Sequence, residues 1–332
     1  MLGIQMSSEV DYGTAIRLGF EYLLENYEEV FVIGQGLWSP WYVGNSMTDL
    51  DKKFGKGRII DTPVSESAVT GAGVGAAIAG ARPIVVHPRM DFMLYAIDAV
   101  VNEAAKWSYM FGGQSSAGVT IRSIINRGGE QGAQHSQALH AWFAHVPGLK
   151  VVMPYSVSDA RDLLIAAALS PDPVLYIDDR WLYESIAELK PISDIDLNDI
   201  SPKTINSGKD ITIVSSGYST KLALAASKEL LALGYSAEVI DLRIINPIKI
   251  ESVLDSVTKT SRLLVIDGGW SPAGLAGEII AQVVERLPTN SLKVPPARVT
   301  LPFAPAPAAP NLEKLYYPTV ENVVKNAMKL LQ

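Results

Sequence analysis

Short runs rich in Val and Ile, separated by helical periods, decide what this chain can become. "VFVIG" from Val30, "RPIVVH" from Arg82, "VTIRSII" from Val119, "KVVMP" from Lys150 and "VLYID" from Val174 have strand length and little polar content. Between them, "YGTAIRLGFEYLLENY" from Tyr12, "DFMLYAIDAVVNEAAKW" from Asp91 and "SDARDLLIAAAL" from Ser158 place apolar residues at helical spacing. A strand apolar on both faces has to be covered on both faces, and the alternating helices supply the cover. The pattern predicts a doubly wound α/β fold with a mainly parallel sheet.

The alternation stops at "SIAELKPISDIDLNDISPKTINSGKD", Ser185 to Asp210, which is polar, holds Pro and Gly, and has no sustained period. It resumes with "DITIVSSG", a helix from Tyr218 to Leu233, "SAEVIDLR", "RLLVIDGG" and a helix from Gly274 to Leu287. This is a second, smaller α/β domain. Near its end "LPFAPAPAAPN", from Leu301, predicts an extended surface crossing before the helix "TVENVVKNAMKLL". The expected divisions are 1–190 for the first domain, 191–209 for a linker and 210–332 for the second. A chain of 332 residues also exceeds the usual size of a single core.

Composition removes several functions. A net charge of -7 and a pI near 5.2, with no basic run, argue against a nucleic-acid partner, which needs clustered Lys and Arg. The absence of cysteine excludes a thiol nucleophile, a disulfide framework and a thiolate metal site. The start, "MLGIQMSSEVDYG", lacks the basic and apolar regions of a secretory signal. The apolar stretch from Gly71 to Val86 is broken by Arg82 and Pro83 and is too short to span a bilayer. The expectation is a cytoplasmic protein with no membrane partner.

Few residues remain for proton chemistry. "GAGVGAA", Gly71 to Ala77, has the glycines of a dinucleotide loop, but it follows "SESAVT", which is already helix-like, instead of following a strand directly. Gly71, Gly73 and Gly75 are therefore read as packing positions inside a helix. Glu66, one residue after the N-cap candidate Ser65, fits a solvated acid complementing the helix dipole. It also follows "DTPV", a strand end, where parallel sheets bind ligands. Three of the four histidines, His135, His140 and His145, lie in "GGEQGAQHSQALHAWFAH" at a spacing of five, not the i, i+4 spacing that brings two imidazoles to one metal. No metal ligands are expected in this chain. His135, at the junction of loop and helix, is the best placed to donate a proton or hold a ligand.

Taken together and in order, "IIDTPVSES", "TGAGVGAAIAGARPIVV", "AIDAVVNEAAKWSYMFGGQ", "GAQHSQALHAWFAHVPGLKVVMPYSVSDARDLLIAAA" and "AEVIDLRIINP" resemble one family. It is the beta subunit of the thiamine-diphosphate-dependent decarboxylase (first) component of 2-oxoacid dehydrogenase complexes, of the pyruvate and branched-chain type, related to transketolase. The resemblance runs from about Glu28 to the C-terminus. It implies a pyrimidine-binding domain followed by a transketolase C-terminal-type domain, and an alpha subunit as partner in an alpha2beta2 heterotetramer.

The resemblance also assigns roles. The acid of "P-x-S-E", here Glu66, hydrogen-bonds the 1′ nitrogen of the cofactor's aminopyrimidine, which favours the imino tautomer and so activates the thiazolium carbon. Such an acid works best buried, where desolvation raises its pKa. His135 in "QHSQ" matches the family's active-site histidine. Val64, Phe92 and Tyr95 fall where the family contacts the aminopyrimidine; without the resemblance, Phe92 and Tyr95 read as an aromatic stripe on a core helix. "AALSPDP" matches a region that binds a monovalent cation, K+, in some members.

The family's "GDG" and later "NN", which hold Mg2+ and diphosphate, are missing from this chain. It reads as half of a site, with Mg2+ held mainly by the alpha subunit. Departures bear on substrate. "HPRMDF" and "RSIINRGGE" replace the family's acidic and aromatic segment and its Gly-Pro-Asn type loop, and they place His87, Arg89, Asp91, Arg127 and Glu130 near the expected pocket. An inward arginine would hold a carboxylate or phosphate bidentately, implying a substrate more anionic or polar than pyruvate. The leading expectation is decarboxylation of a 2-oxo acid with acyl transfer to a lipoyl-bearing acyltransferase or similar carrier. The alternatives are a split transketolase-like subunit moving a two-carbon ketol unit from a ketose, and a non-catalytic assembly subunit.

Overall fold

The apolar runs become strands in a computed structural model that describes residues 9–332. The first eight positions of the expected first domain, and most of the stretch read for a signal, lie outside the described residues. The strands are β1 (Glu9–Asp11), β2 (Val30–Gly34), β3 (Ile59–Asp61), β4 (Arg82–His87), β5 (Thr120–Ile125), β6 (Lys150–Val152) and β7 (Val174–Asp179). They continue with β8 (Ile186–Glu188), β9 (Lys203–Asn206), β10 (Ile211–Ser215), β11 (Ala237–Asp241), β12 (Ile244–Asn246), β13 (Leu263–Trp270) and β14 (Ala297–Leu301). The chain divides into two units, neither continuous in sequence. One holds the chain as far as Ile124 with Val146–Lys150 and Ser156–Asp199; the other holds Ile125–His145, Val151–Tyr155 and Ile200–Gln332.

In the first unit the strand order is β7-β5-β4-β2-β3. The pairs β2 with β3, β2 with β4 and β4 with β5 are parallel, in registers such as Ile33↔Val85 and Val86↔Arg122. Helices cover this sheet as the periodicity requires. Tyr12–Asn26 starts where the Asp11 carboxylate accepts the Thr14 amide at 2.7 Å, and it buries Ile16, Phe20 and Leu23. Val157–Leu169 starts at Ser156, whose hydroxyl accepts the Asp159 amide at 3.0 Å, and nearly all of it is buried. A single charge enters the apolar strand β5. Arg122 is fully buried and answered by Asp178 at 2.9 and 3.0 Å, by Ser46 Oγ and by the Tyr183 hydroxyl.

Two features depart from the sequence pattern. The helix expected from Asp91 runs without a break from Met90 to Met110, but its winding changes along the way: α-helical at Met90–Met93, tighter at Leu94–Ala96, wider and π-type at Ala99–Ala104, then α-helical again at Ala105–Met110. Apolar spacing cannot distinguish these windings because each keeps roughly the same buried face. The polar stretch after Ser185 contains β8 and part of it becomes β9. β8 pairs antiparallel with β1, and β9 lies at a sheet edge, where exposed polar side chains leave no apolar alternation to read.

The second unit orders its main sheet β14-β13-β10-β11-β9, parallel except for β9. Ile213, Val239, Leu264 and Ile266 meet Ala223, Ala226 and Leu230 of helix Tyr218–Ala232 and Val323 and Ala327 of helix Val320–Leu331 in one core. Thr319 and Asn322 close a capping box at the start of that last helix. Both units are thus α/β, with mainly parallel sheets.

Candidate active site

The site in the first unit begins with the end of β3. The Asp61 carboxylate accepts the Gly36 amide at 2.6 Å, and the Thr62 amide donates to Gly34 O at 2.9 Å, so the turn after β3 is tied to the end of β2. Pro63 and Val64 follow, and Glu66 opens helix Glu66–Ile78. Ser65 occupies the N-cap position, but its side chain makes no capping bond, contrary to the sequence expectation. Its φ of -164° and ψ of 60° turn the residue away from the usual cap geometry.

The helix shows its packing face directly. Thr70, Gly73, Val74 and Ala77 are buried, and a Cβ on Gly73 would stand 2.4 Å from Val85 Cγ2 of β4. Gly73 therefore permits close approach of helix and sheet. Gly71 and Gly75 do not share this role, because a Cβ on either would meet open space in this chain.

A cleft beside the helix start is lined by residues that include Thr62, Glu66, Val69, His87 and Phe92, and it opens at the carboxyl ends of β2, β3 and β4. Glu66 is half-buried, not enclosed as the expected role would favour. His87 is buried, with Nε2 3.1 Å from Thr70 Oγ1, and burial lowers its pKa to about 4. It stands there as a neutral imidazole. Thr62 Oγ1 is buried with no hydrogen-bond partner among the described residues. Arg89 also keeps a buried Nη1 without such a partner. Burial holds the Arg89 pKa below the ordinary value; Asp91 opposes the shift and Arg180 adds to it. Val64 is 68% exposed and Tyr95 81% exposed, so only Glu66 and Phe92 of the expected cofactor contacts share the cleft.

The remaining expected residues belong to the second unit. His135 is half-buried and follows a turn in which its amide donates to Gly132 O at 3.3 Å. Arg127 is buried and donates from Nη1 to Gly268 O at 3.0 Å. Glu130 is exposed, has a φ of 61°, and donates its amide to the Glu313 carboxylate.

Sequence reasoning passed over His140. Its Nε2 lies 2.9 Å from Asp267 Oδ1, with both side chains 1% exposed. Burial pushes the Asp267 carboxyl up, but His140 beside it and the amides of Gly269 and Ala276 hold it below the usual range. No local signal marks this pair, since its members stand 127 positions apart.

The donor set in the first unit fits one part of thiamine diphosphate. A carboxylate, an aromatic side chain and an unanswered hydroxyl line one cleft, the group types an aminopyrimidine calls for, although the cleft as folded encloses only about 10 Å³, so a ring would lie across its mouth and not inside it. Among the described residues no group of three or more His, Asp or Glu side chains could hold a metal ion, and no helix is long and apolar enough to cross a membrane.

Comparison with known proteins gives these features a context. Residues 8–184 match the transketolase pyrimidine binding domain, and residues 202–323 match the transketolase C-terminal domain. The chain is 39% identical over 297 residues to the pyruvate dehydrogenase E1 component subunit beta of Rhizobium meliloti, covering 90% of this chain. It spans 64% of that relative's length. It is 40% identical over 303 residues to the mitochondrial subunit beta-1 of Arabidopsis thaliana, covering 90% of this chain and 82% of that one. A solved split-gene transketolase, described as an inactive beta4 tetramer, matches with a TM-score of 0.75 over 96% of both chains. At 23% identity this last likeness speaks to the fold alone.

Proposed function

Because this chain belongs to the family of pyruvate dehydrogenase E1 beta subunits, built from transketolase pyrimidine-binding and C-terminal domains, we propose that it is the beta subunit of a thiamine-diphosphate-dependent enzyme acting on 2-oxo acids. The observation that carries the reading is Glu66, set at the carboxyl ends of parallel strands in a cleft shared with Phe92 and His87. When bound, the cofactor supplies the nucleophilic carbon that adds to a substrate carbonyl. Glu66 would hold a proton at the pyrimidine ring nitrogen, and Phe92 would be an apolar contact for the ring. His135 donates or stabilises protons at the substrate. The Mg2+ and diphosphate would belong to an alpha subunit in an alpha2beta2 assembly, and the acyl unit would leave as a thioester on a lipoyl-type carrier, whose disulfide takes up the two electrons and opens as the thioester forms.

Arg89 favours a second substrate class. Its buried, unanswered Nη1 would be satisfied by a carboxylate or phosphate oxygen, which suits a substrate more anionic than pyruvate, including the ketose phosphate of a transketolase-like subunit. One experiment separates these readings. The chain is purified with its copurifying alpha subunit, and carbon dioxide release from 2-oxo acids is measured beside ketol transfer from ketose phosphates. Release from a 2-oxo acid supports the proposal; transfer without carbon dioxide supports the second reading. Activity unchanged by Glu66→Ala would leave the chain as an assembly subunit only.

A further inference from the structure

The loop that carries His135 is bent at several left-handed backbone positions. Gly128, Gly129 and Gly132 adopt φ values of 69°, 69° and 73°, and Glu130 has a φ of 61°. Such a segment loses much conformational freedom when it is ordered, so its order has to come from bonds outside it.

Several such bonds go to one region of the same unit. At the start of the loop, Arg127 donates to Gly268 O at 3.0 Å and the Gly128 amide to the Tyr317 hydroxyl at 3.3 Å. The Glu130 amide meets both Glu313 oxygens, at 3.2 and 3.1 Å. After the loop, His140 opens helix His140–Ala144 and reaches Asp267 at 2.9 Å. Arg127 and His140 thus flank His135 and engage adjacent residues, Gly268 and Asp267, on β13.

The His140 attachment is the most constrained. Asp267 is fixed by amides on both oxygens, from Gly269 at 2.8 Å and Ala276 at 3.1 Å. A Cβ on Gly269 would come within 3.2 Å of His140 Cε1 and 3.3 Å of Asp267 Oδ1, so the pair has almost no space in which to shift. A dry pair of this kind is costly to break, because either group left alone would be buried without an answer.

We propose that His140 and Asp267 are positioning residues that fix the His135 loop against the end of β13, with Arg127 and Glu313 securing its other side. The proposal rests on the reading of His135 as the family's active-site histidine. Neither residue touches the substrate. Their effect is to hold the imidazole of His135 where proton transfer requires it, a task sensitive to displacements of about 1 Å.

The test uses the complex with its alpha subunit and the variants His140→Ala, Asp267→Asn, the double variant, Gly269→Ala and His135→Ala. Steady-state kinetics are measured beside amide hydrogen exchange of residues 126–139. Both single variants should lower kcat by about 10- to 100-fold with KM changed by less than about 3-fold, and exchange across 126–139 should rise. The double variant should be no worse than either single one, since both remove the same attachment. Gly269→Ala, which crowds the pair and deletes neither member, should act in the same direction more weakly, and it decides the matter if the others fail to fold. Unchanged exchange in 126–139, or a change confined to KM, overturns the proposal. Full kcat in His135→Ala instead overturns the reading of His135, whatever the exchange shows.

Discussion

Glu66 and His135 carry the proposed chemistry, yet the two units hold them by different means. Glu66 is placed locally: a strand ends at Asp61, Pro63 sets the turn, and the acid opens the next helix. His135 sits in a glycine-rich loop attached through Arg127 and His140 to residues 141 and 127 positions away. The contrast has a consequence for mutation. Around Glu66, the proposed function should be removable without disturbing the fold; around His135, loop order and function should change together.

The sharpest way to break that contrast is Glu66→Gln. The variant should lose about 10²- to 10⁴-fold in activity of the assembled complex, the usual contribution of a positioned proton-transfer group. Stability should change by no more than about 1 kcal/mol, because a half-exposed acid in a first helical turn contributes little else. Comparing turnover with the denaturation midpoint checks both halves. A large loss of stability would mean that Glu66 holds its unit together and that the two regions are not different in kind.

His87 gives a pH-dependent probe of the same cleft. Its folded pKa of about 4 lies below the 6.5 of a free imidazole, so between those values the unfolded chain binds a proton that the folded chain refuses. Stability from this group is therefore lost as pH falls from 6.5 towards 4. At pH 4.5 the loss should be about 2 to 3 kcal/mol relative to pH 7. His87→Phe should lack that component, so its urea midpoint should fall less over the same interval. Equal falls in the two proteins would show that the imidazole is not held neutral in the cleft.

How much of this was legible in the sequence follows from the range of the forces involved. The parallel sheets, the place of Glu66 after a strand end and the course of the last helix depend on periodicity and strand ends, which are local; periodicity alone put Phe92 in a core stripe, and only the family resemblance pointed it to the site. The edge strands β8 and β9 were hidden because an edge needs no apolar alternation. The changes of winding within the helix after Asp91 were hidden because they preserve the buried face. His140 could not be chosen over its neighbours from spacing, since only the fold brings Asp267 to it. The exposure of Val64 and Tyr95, which the family resemblance alone would place against a cofactor, is likewise a property of the folded chain and not of its pattern.

The packing helix supplies a further probe within the first unit. Gly73→Ala should destabilise by about 1 to 3 kcal/mol, since its Cβ would stand 2.4 Å from Val85 Cγ2 and either the helix or β4 has to shift. Denaturation of the isolated full chain measures the loss, and Glu66 activity in the complex should fall with it because the helix start moves. A neutral result would mean that Val85 rotates aside, and that the helix is not fixed at this point.

The smallest expected effect has the opposite sign and uses the same helix. Gly71 and Gly75 lie one turn apart on the exposed face, and a Cβ on either meets nothing within 4 Å. Neither has a positive φ, so alanine can adopt both positions without strain. Replacing an exposed helical glycine with alanine removes backbone freedom from the unfolded chain and should stabilise by about 0.5 to 1 kcal/mol per site. Gly71→Ala and Gly75→Ala in the isolated full chain should therefore raise the denaturation midpoint, while Gly73→Ala lowers it. The glycines of "GAGVG" would then separate by the face they occupy: one needed for packing within the chain, two dispensable to it. A concentration-dependent loss of stability in Gly71→Ala or Gly75→Ala would show instead that another copy packs on this face, and that all three glycines serve close approach.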